Sequence, residues 1–193
     1  MPRMTSRLQA TLVAAAACVA AAGVASASTS TRSRTVNVQI AGGHATKAVD
    51  SGRPVVLVAA GLGVPESVFR EAFSHVSPAP AGSEPDPAQV NRNKAALLKV
   101  LRPYGVTNDA LDRASNHYRY NRPAGESWPH TAAIVKATVA NGHMTAVRIV
   151  RAGSGYTSAP SLRVPGVSDK LKGRLGFSKR FAANGRLVSV SLG

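Results

Sequence analysis

Tyr118, Arg119, Tyr120, Arg122 and Trp128 crowd into one short stretch of this chain. Aromatic rings stack on sugars and bases, and guanidinium forks pair with phosphate or carboxylate. The stretch therefore has the residue types of a surface for an anionic ligand. The same rings could instead close a core, because large aromatics are usually mostly buried. A second group of cations follows. Lys136, Arg148, Arg151, Arg163, Lys170, Lys172, Arg174, Lys179, Arg180 and Arg186 face Asp169 alone after residue 130. Alternating strands would put many of them on a solvent face, and Arg174, Lys179 and Arg180 are the cations singled out there as binding residues.

Other chemistry is thin. His44, His75, His117, His130 and His143 show no metal-ligand spacing, and Cys18 lies in the first apolar stretch. No metal and no cofactor is expected. Gly153-Ser154-Gly155 follows a strand and precedes no helix, so it is not a nucleophile elbow. Glu126 and His130 sit near Trp128 in a loop, where catalytic groups often occur. No second acid–base group can be placed beside them, and no catalytic residue is assigned. The segment AAGLGVPESVFREAF has Ala59, Gly63 and Phe69 near the small, turn and apolar positions of a DNA-binding helix-turn-helix. Its second helix carries Glu66 and Glu71 with only Arg70, which argues against a groove reader and against an intracellular nucleic-acid partner.

Composition sets the frame for these candidates. A formal net charge of +15 points to polyanions or anionic surfaces as partners. Aromatics are 5% of the chain, so any core must rest on Val, Leu, Ile and Ala. Residues 1–27 read as a secretory signal. Arg3 and Arg7 open it, an Ala-rich run spans Leu12 to Val24, and Ala25-Ser26-Ala27 supplies the cleavage site. The run is short for a membrane span, so the mature chain is expected to carry none. Lipid attachment at Cys18 is a minor alternative. The expected location is secreted or periplasmic.

Several elements must position the candidates. Residues 28–34 are polar and read as disordered. Val36, Val38 and Ile40 alternate with polar residues as a short strand. Two phrases, GVPESVFREAFS at 63–74 and GVTNDALDRASN at 105–116, each follow an apolar run. They predict two helix–turn–helix hairpins turning at Gly-Val. Residues 54–62 fit either a helix or a buried strand, and the parallel with 95–101 favours helix. The second helix is expected over about 65–76. Asp86-Pro87-Ala88-Gln89 reads as a cap with a capping-box glutamine, and Val90, Leu97, Leu98 and Leu101 form the stripe after it. Thr107 caps the next helix, with Leu111, Ala114 and Tyr118 on one face.

Beyond a linker at 119–130 the period becomes two. Asn141-Gly142 and Asn184-Gly185 are hairpin signals, since both central residues of a type I′ turn need positive φ. After each turn the apolar positions step by three and then two: Met144, Val147, Ile149 and Leu187, Val190, Leu192. That spacing predicts bulges near Thr145-Ala146 and Val188-Ser189. The fold class is α+β. A strand and helical-hairpin domain over 35–118 is expected to precede an antiparallel β-hairpin domain over 131–193.

Gly153-Ser154-Gly155-Tyr156 with Pro160 and Pro165 resembles the Gly-x-Gly-Tyr…Pro element in tandem β-repeats of bacterial extracellular and phage fibre proteins. That likeness implies a structural or binding module rather than an enzyme. DSGRPVVLVAAGLGVPESVFREAF and NKAALLKVLRPYGVTNDALDRASNHYRY resemble an uncharacterised family of secreted bacterial proteins over roughly 36–128. The likeness implies export and fold, and no activity. The favoured function is a non-catalytic module binding an anionic polymer or cell-envelope partner. The alternatives are a cell-envelope hydrolase-like enzyme and a structural module without a ligand.

Overall fold

The alternation of Val36, Val38 and Ile40 does produce strand, but its hydrogen bonds do not stay with the helices. In the computed structural model, which describes residues 32–77, 86–119 and 127–193, these residues form β1 (Arg34–Asn37) and β2 (Gln39–Ala41). A lone strand cannot satisfy its own backbone groups, so each finds an antiparallel partner far along the chain. β1 pairs with β3 (Ile134–Ala140), which pairs with β4 (His143–Arg151). β2 pairs with β5 (Ser161–Arg163), and β6 (Leu171–Gly176) pairs with β7 (Arg186–Leu192). β7 also lies beside β4 and β6 beside β5. Because β2 continues β1, the strands close a ring around one apolar interior that includes Val38, Val135, Ala137, Val139, Leu162 and Leu187. The initial strand thus belongs with the β half, and Arg34 opens β1 instead of ending a disordered tail. The cleavage site and Cys18 lie outside the described residues.

The helices are inserted between β2 and β3. α1 (Val55–Leu62) settles the ambiguity of its apolar run: it is helix, with Val55, Leu57, Val58, Ala59 and Leu62 buried. Gly63 ends it in the left-handed region, φ 75°. α2 (Glu66–Ser74) buries Phe69 and Ala72, and Arg70 turns to the buried Asp50, Nε to Oδ1 at 2.7 Å and Nη2 to Oδ2 at 2.9 Å. Asp86 caps α3 (Pro87–Leu101), accepting from the amides of Ala88 at 2.7 Å and Gln89 at 2.9 Å. Gln89 does not complete a capping box. Its amide donates to Ser77 O at 3.0 Å and ties α3 to the end of α2. In the predicted stripe Leu98 and Leu101 are buried, whereas Val90 is 41% exposed. Thr107 caps α4 (Asn108–His117), and Leu111, Ala114 and Tyr118 are all buried. Among the described residues no helix is long and apolar enough to cross a membrane.

The two ends of this insertion meet at Gly153-Ser154-Gly155-Tyr156. Gly43 O, just after β2, accepts from Thr157 N at 2.9 Å and Ser158 N at 3.1 Å. Thr131, just before β3, exchanges backbone bonds with Ser154. Tyr156 is buried, and its hydroxyl accepts from Ala133 N at 2.9 Å. A Cβ on Gly155 would come within 2.7 Å of both His130 Cβ and Pro129 O. The glycine therefore lets the neck of the insertion lie against the motif.

Asn141-Gly142 forms the expected hairpin turn, with φ of 52° and 81°. Thr138 pairs with Ala146 and Val139 with Met144, leaving Thr145 as the extra residue. Arg174 pairs with Ser189 and Leu175 with Leu187, leaving Val188 extra. Both bulges fall where the three-then-two spacing places them. A further irregularity lies between Ile134 and Val135, where Val150 is extra. Asn184-Gly185 is not a hairpin turn. Residues 177–185 join β6 to β7 through a 3₁₀ turn at Phe181–Ala183, and Asn184 has φ −85°.

Candidate functional site

The register of the ring decides which cations face outward. Val135, Ala137 and Val139 of β3 point to the interior, so Lys136 and Thr138 point away from it. Lys136 lies directly between Asn37 on β1 and Arg148 on β4. Arg151 stands opposite Ile134, toward the end of the same hairpin. On the second hairpin Leu171 and Leu175 pack inward, and Lys172 and Arg174 alternate with them. Their cross-strand neighbours are Ser191 and Ser189, and Arg186 sits opposite Gly176. Arg148, Arg151, Lys172, Arg174 and Arg186 are exposed. Cross-strand neighbours have Cβ atoms about 5 Å apart, so Lys136 and Arg148 stand side by side on this face.

Among the described residues no ion pair neutralises this face. Asp169, the single acidic side chain after residue 130, accepts from Met144 N at 2.6 Å and meets His143 Nδ1 at 3.3 Å. The Met144 amide first, then His143, holds its carboxyl below the usual carboxylate range. Among the described residues no ion pair reaches Lys136, Arg148, Arg151, Lys172, Arg174 or Arg186. The helical insertion is built differently. There Lys47 pairs with Glu66, Arg70 with Asp50 and Glu66, and Lys94 with Asp112. Like charges placed opposite on a sheet lower its stability.

The aromatic stretch is arranged otherwise. Tyr118 is buried, its hydroxyl accepts from Asn184 Nδ2 at 2.8 Å, and burial pushes its pKa up. Trp128 is 5% exposed and its Nε1 donates to Gly155 O at 2.8 Å. Their rings close the core where the insertion meets the strands. This is the outcome large apolar area favours, and it removes both rings from any open stacking surface. Arg119 is exposed and, with Arg53, Phe69 and Phe73, lines a groove of about 210 Å³. Tyr120, Arg122 and Glu126 lie outside the described residues. Arg174 belongs to the outward face. Lys179 and Arg180 are exposed but sit on the connection between β6 and β7, with the Lys179 stem laid over Gly63.

Two features escaped the sequence. Asn184 is wholly buried. Its side chain donates to Leu57 O and Tyr118 Oη, both at 2.8 Å, and accepts from Ser178 N at 3.1 Å. It joins α1, the end of α4 and the last strand. His44 and His130, separated in sequence by the whole insertion, have ring centres 4.4 Å apart. His44 also stacks on Tyr156 at 5.3 Å. Burial first, and then His130, push its pKa down. No spacing rule pairs residues at the two ends of an insertion, so only the pairing of β1 with β3 reveals them.

Compared with known proteins, the chain matches no family model, no curated sequence and no solved structure.

Proposed function

We propose that this protein is a secreted or periplasmic non-catalytic module that binds an anionic polymer, or an envelope component carrying one, through the outward face of β3, β4, β6 and β7. The observation that carries this reading is Lys136 set directly opposite Arg148, with no ion pair to either among the described residues. A row of cations spaced by the sheet suits repeating phosphate or sulfate groups, and most of the affinity would come from released counterions. Export rests on the basic start, the Ala-rich run and Ala25-Ser26-Ala27, and on the resemblance to secreted proteins over 36–128. The two helix pairs read as a duplicated hairpin, since Gly63 and Gly105 both adopt left-handed φ at the Gly-Val.

A fragment starting at residue 131 would lose β1 and β2, so the test uses the whole chain. Binding to heparin, a teichoic-acid-like polymer and DNA is measured at low and high salt. The expected result is retention at low salt, lost steeply as salt rises, with little dependence on polymer type. Lys136→Glu with Arg148→Glu should weaken binding more than Arg119→Glu. The reverse ranking would move the site to the groove beside Arg119. Retention of Met1 on protein recovered from culture, in place of a start at Ser28, would remove the export half of the proposal.

A further inference from the structure

His44 and His130 mark the two ends of the helical insertion. His44 follows β2 after Gly42-Gly43, and His130 precedes β3. The rings meet at 4.4 Å between centres, inclined by 51°, over Tyr156 and beside Trp128. His44 Nε2 is buried and has no hydrogen-bond partner among the described residues. A buried polar nitrogen without a partner is costly and calls for a ligand or ion. His130 supplies the complementary half. Its Nδ1 lies 3.1 Å from Trp128 O. A carbonyl only accepts, so Nδ1 carries the proton and the neutral ring keeps its lone pair on Nε2. That is the tautomer in which histidine ligates through Nε2 while a backbone carbonyl orients the ring.

We propose that His44 and His130 form a two-imidazole site for a divalent late transition-metal ion, Cu(II) by preference, which clips the neck of the insertion shut. The separation fits. With metal–nitrogen bonds of about 2.0–2.1 Å and ligands about 90–110° apart, two coordinated imidazoles have ring centres about 4.5–5.2 Å apart. The observed distance is within a small rotation of that range. The donors select the ion class. Neutral nitrogen without carboxylate oxygen disfavours Ca(II) and Mg(II), and among first-row ions imidazole sites bind Cu(II) most tightly. Among the described residues no third His, Cys, Asp or Glu completes a cluster, so the remaining positions go to water or an incoming donor. Joining residues at the two ends of a long insertion constrains the unfolded chain strongly.

Trp128 is the single tryptophan, and its ring centre is 6.2 Å from that of His44, so Cu(II) bound there should quench its fluorescence. The titration uses the full chain with Cys18→Ser, His75→Asn, His117→Gln and His143→Asn, so that no thiol or other histidine competes. The expected result is saturable quenching at one ion per chain, reversed by chelator, with at least tenfold weaker binding after His130→Ala. His130 is exposed, so that change should leave the fold intact by circular dichroism. His44→Gln is the second variant. Electron paramagnetic resonance of the parent chain with one equivalent of Cu(II) should show hyperfine coupling to two imidazole nitrogens. Quenching unchanged in both variants, no saturable quenching, or a spectrum without nitrogen coupling would each overturn the proposal. Polyanion binding is not expected to change, so this test and that of the cationic face fail independently.

Discussion

Asn-Gly occurs twice in the β half and does two different jobs. At Asn141-Gly142 both residues have positive φ, both are exposed, and a Cβ on the glycine would meet nothing within 4 Å. The dipeptide does what its local preference dictates, and the hairpin it makes depends on little else. At Asn184-Gly185 the asparagine is in extended geometry and completely buried. Its amide replaces a turn with bonds to α1 and to Tyr118. Gly185 keeps positive φ, 64°, but a Cβ there would come within 2.7 Å of Leu57 Cδ2 and 2.8 Å of Tyr156 N. One glycine is required by its backbone angle alone, the other by its backbone angle and by what is packed against it.

The largest effects should therefore fall on the second site. Asn184→Ala leaves the Ser178 amide and the Tyr118 hydroxyl without partners in the interior, and should cost about 3 kcal/mol. Gly185→Ala combines the strain of positive φ with a collision against backbone that cannot move aside, and should cost roughly 2–4 kcal/mol. Gly142→Ala carries the angular strain only, about 1 kcal/mol. Urea unfolding of the three variants gives the ranking. Equal losses at Gly142 and Gly185 would mean that the collision is relieved and that the two sites are alike after all.

The same contrast explains what could be read in advance. Caps, helix ends, the Asn141-Gly142 turn and both bulges are local, and each was legible from residues a few positions apart. The bulges followed from Met144, Val147 and Ile149, and from Leu187 and Val190, because an apolar step of three in a strand needs an extra residue. The partner of β1 was not legible, since four alternating residues specify a buried face and not which strand lies beside it. Asn184 was misread for a related reason. Its local preference and its tertiary use conflict, and three side-chain hydrogen bonds, two of them buried, outweigh turn propensity. Of the candidate site residues, the cations of β6 and β4 followed from alternation, whereas Tyr118 and Trp128 carried the same signal for a core as for a binding surface.

A smaller effect separates the neck from both turns. His44 has its pKa lowered by burial and by His130, and the rings against it among the described residues are those of His130, Tyr156 and Trp128, none of them a carboxylate. The unfolded chain then binds more protons at this residue than the folded chain does. The stabilising contribution is full above the ordinary histidine value of about 6.5, and is lost as pH falls from there through the lowered folded value. Stability measured with chelator present should decline over that window, and His44→Gln should flatten the decline. An unaltered profile in the variant would assign the acid loss to other groups.

The smallest expected change in stability tests the outward face itself, on the hairpin whose turn is purely local. Lys136 and Arg148 are opposed across β3 and β4, with Asn37 on the other flank. Opposite charges in such a pair contribute roughly 0.2–1 kcal/mol, and like charges detract by a comparable amount. Lys136→Glu turns a repulsive pair into an attractive one. It should leave the protein as stable or slightly more stable, with the urea midpoint unchanged or raised. The same substitution removes one cation from the row proposed to bind a polymer, so affinity for heparin should fall and the slope of log affinity against log salt should shrink by about one unit. A gain in stability with a loss in binding is the signature of a charge kept for a partner. If the midpoint falls instead, a carboxylate within the chain already neutralises Lys136, and the outward face has no unmet demand for an anion.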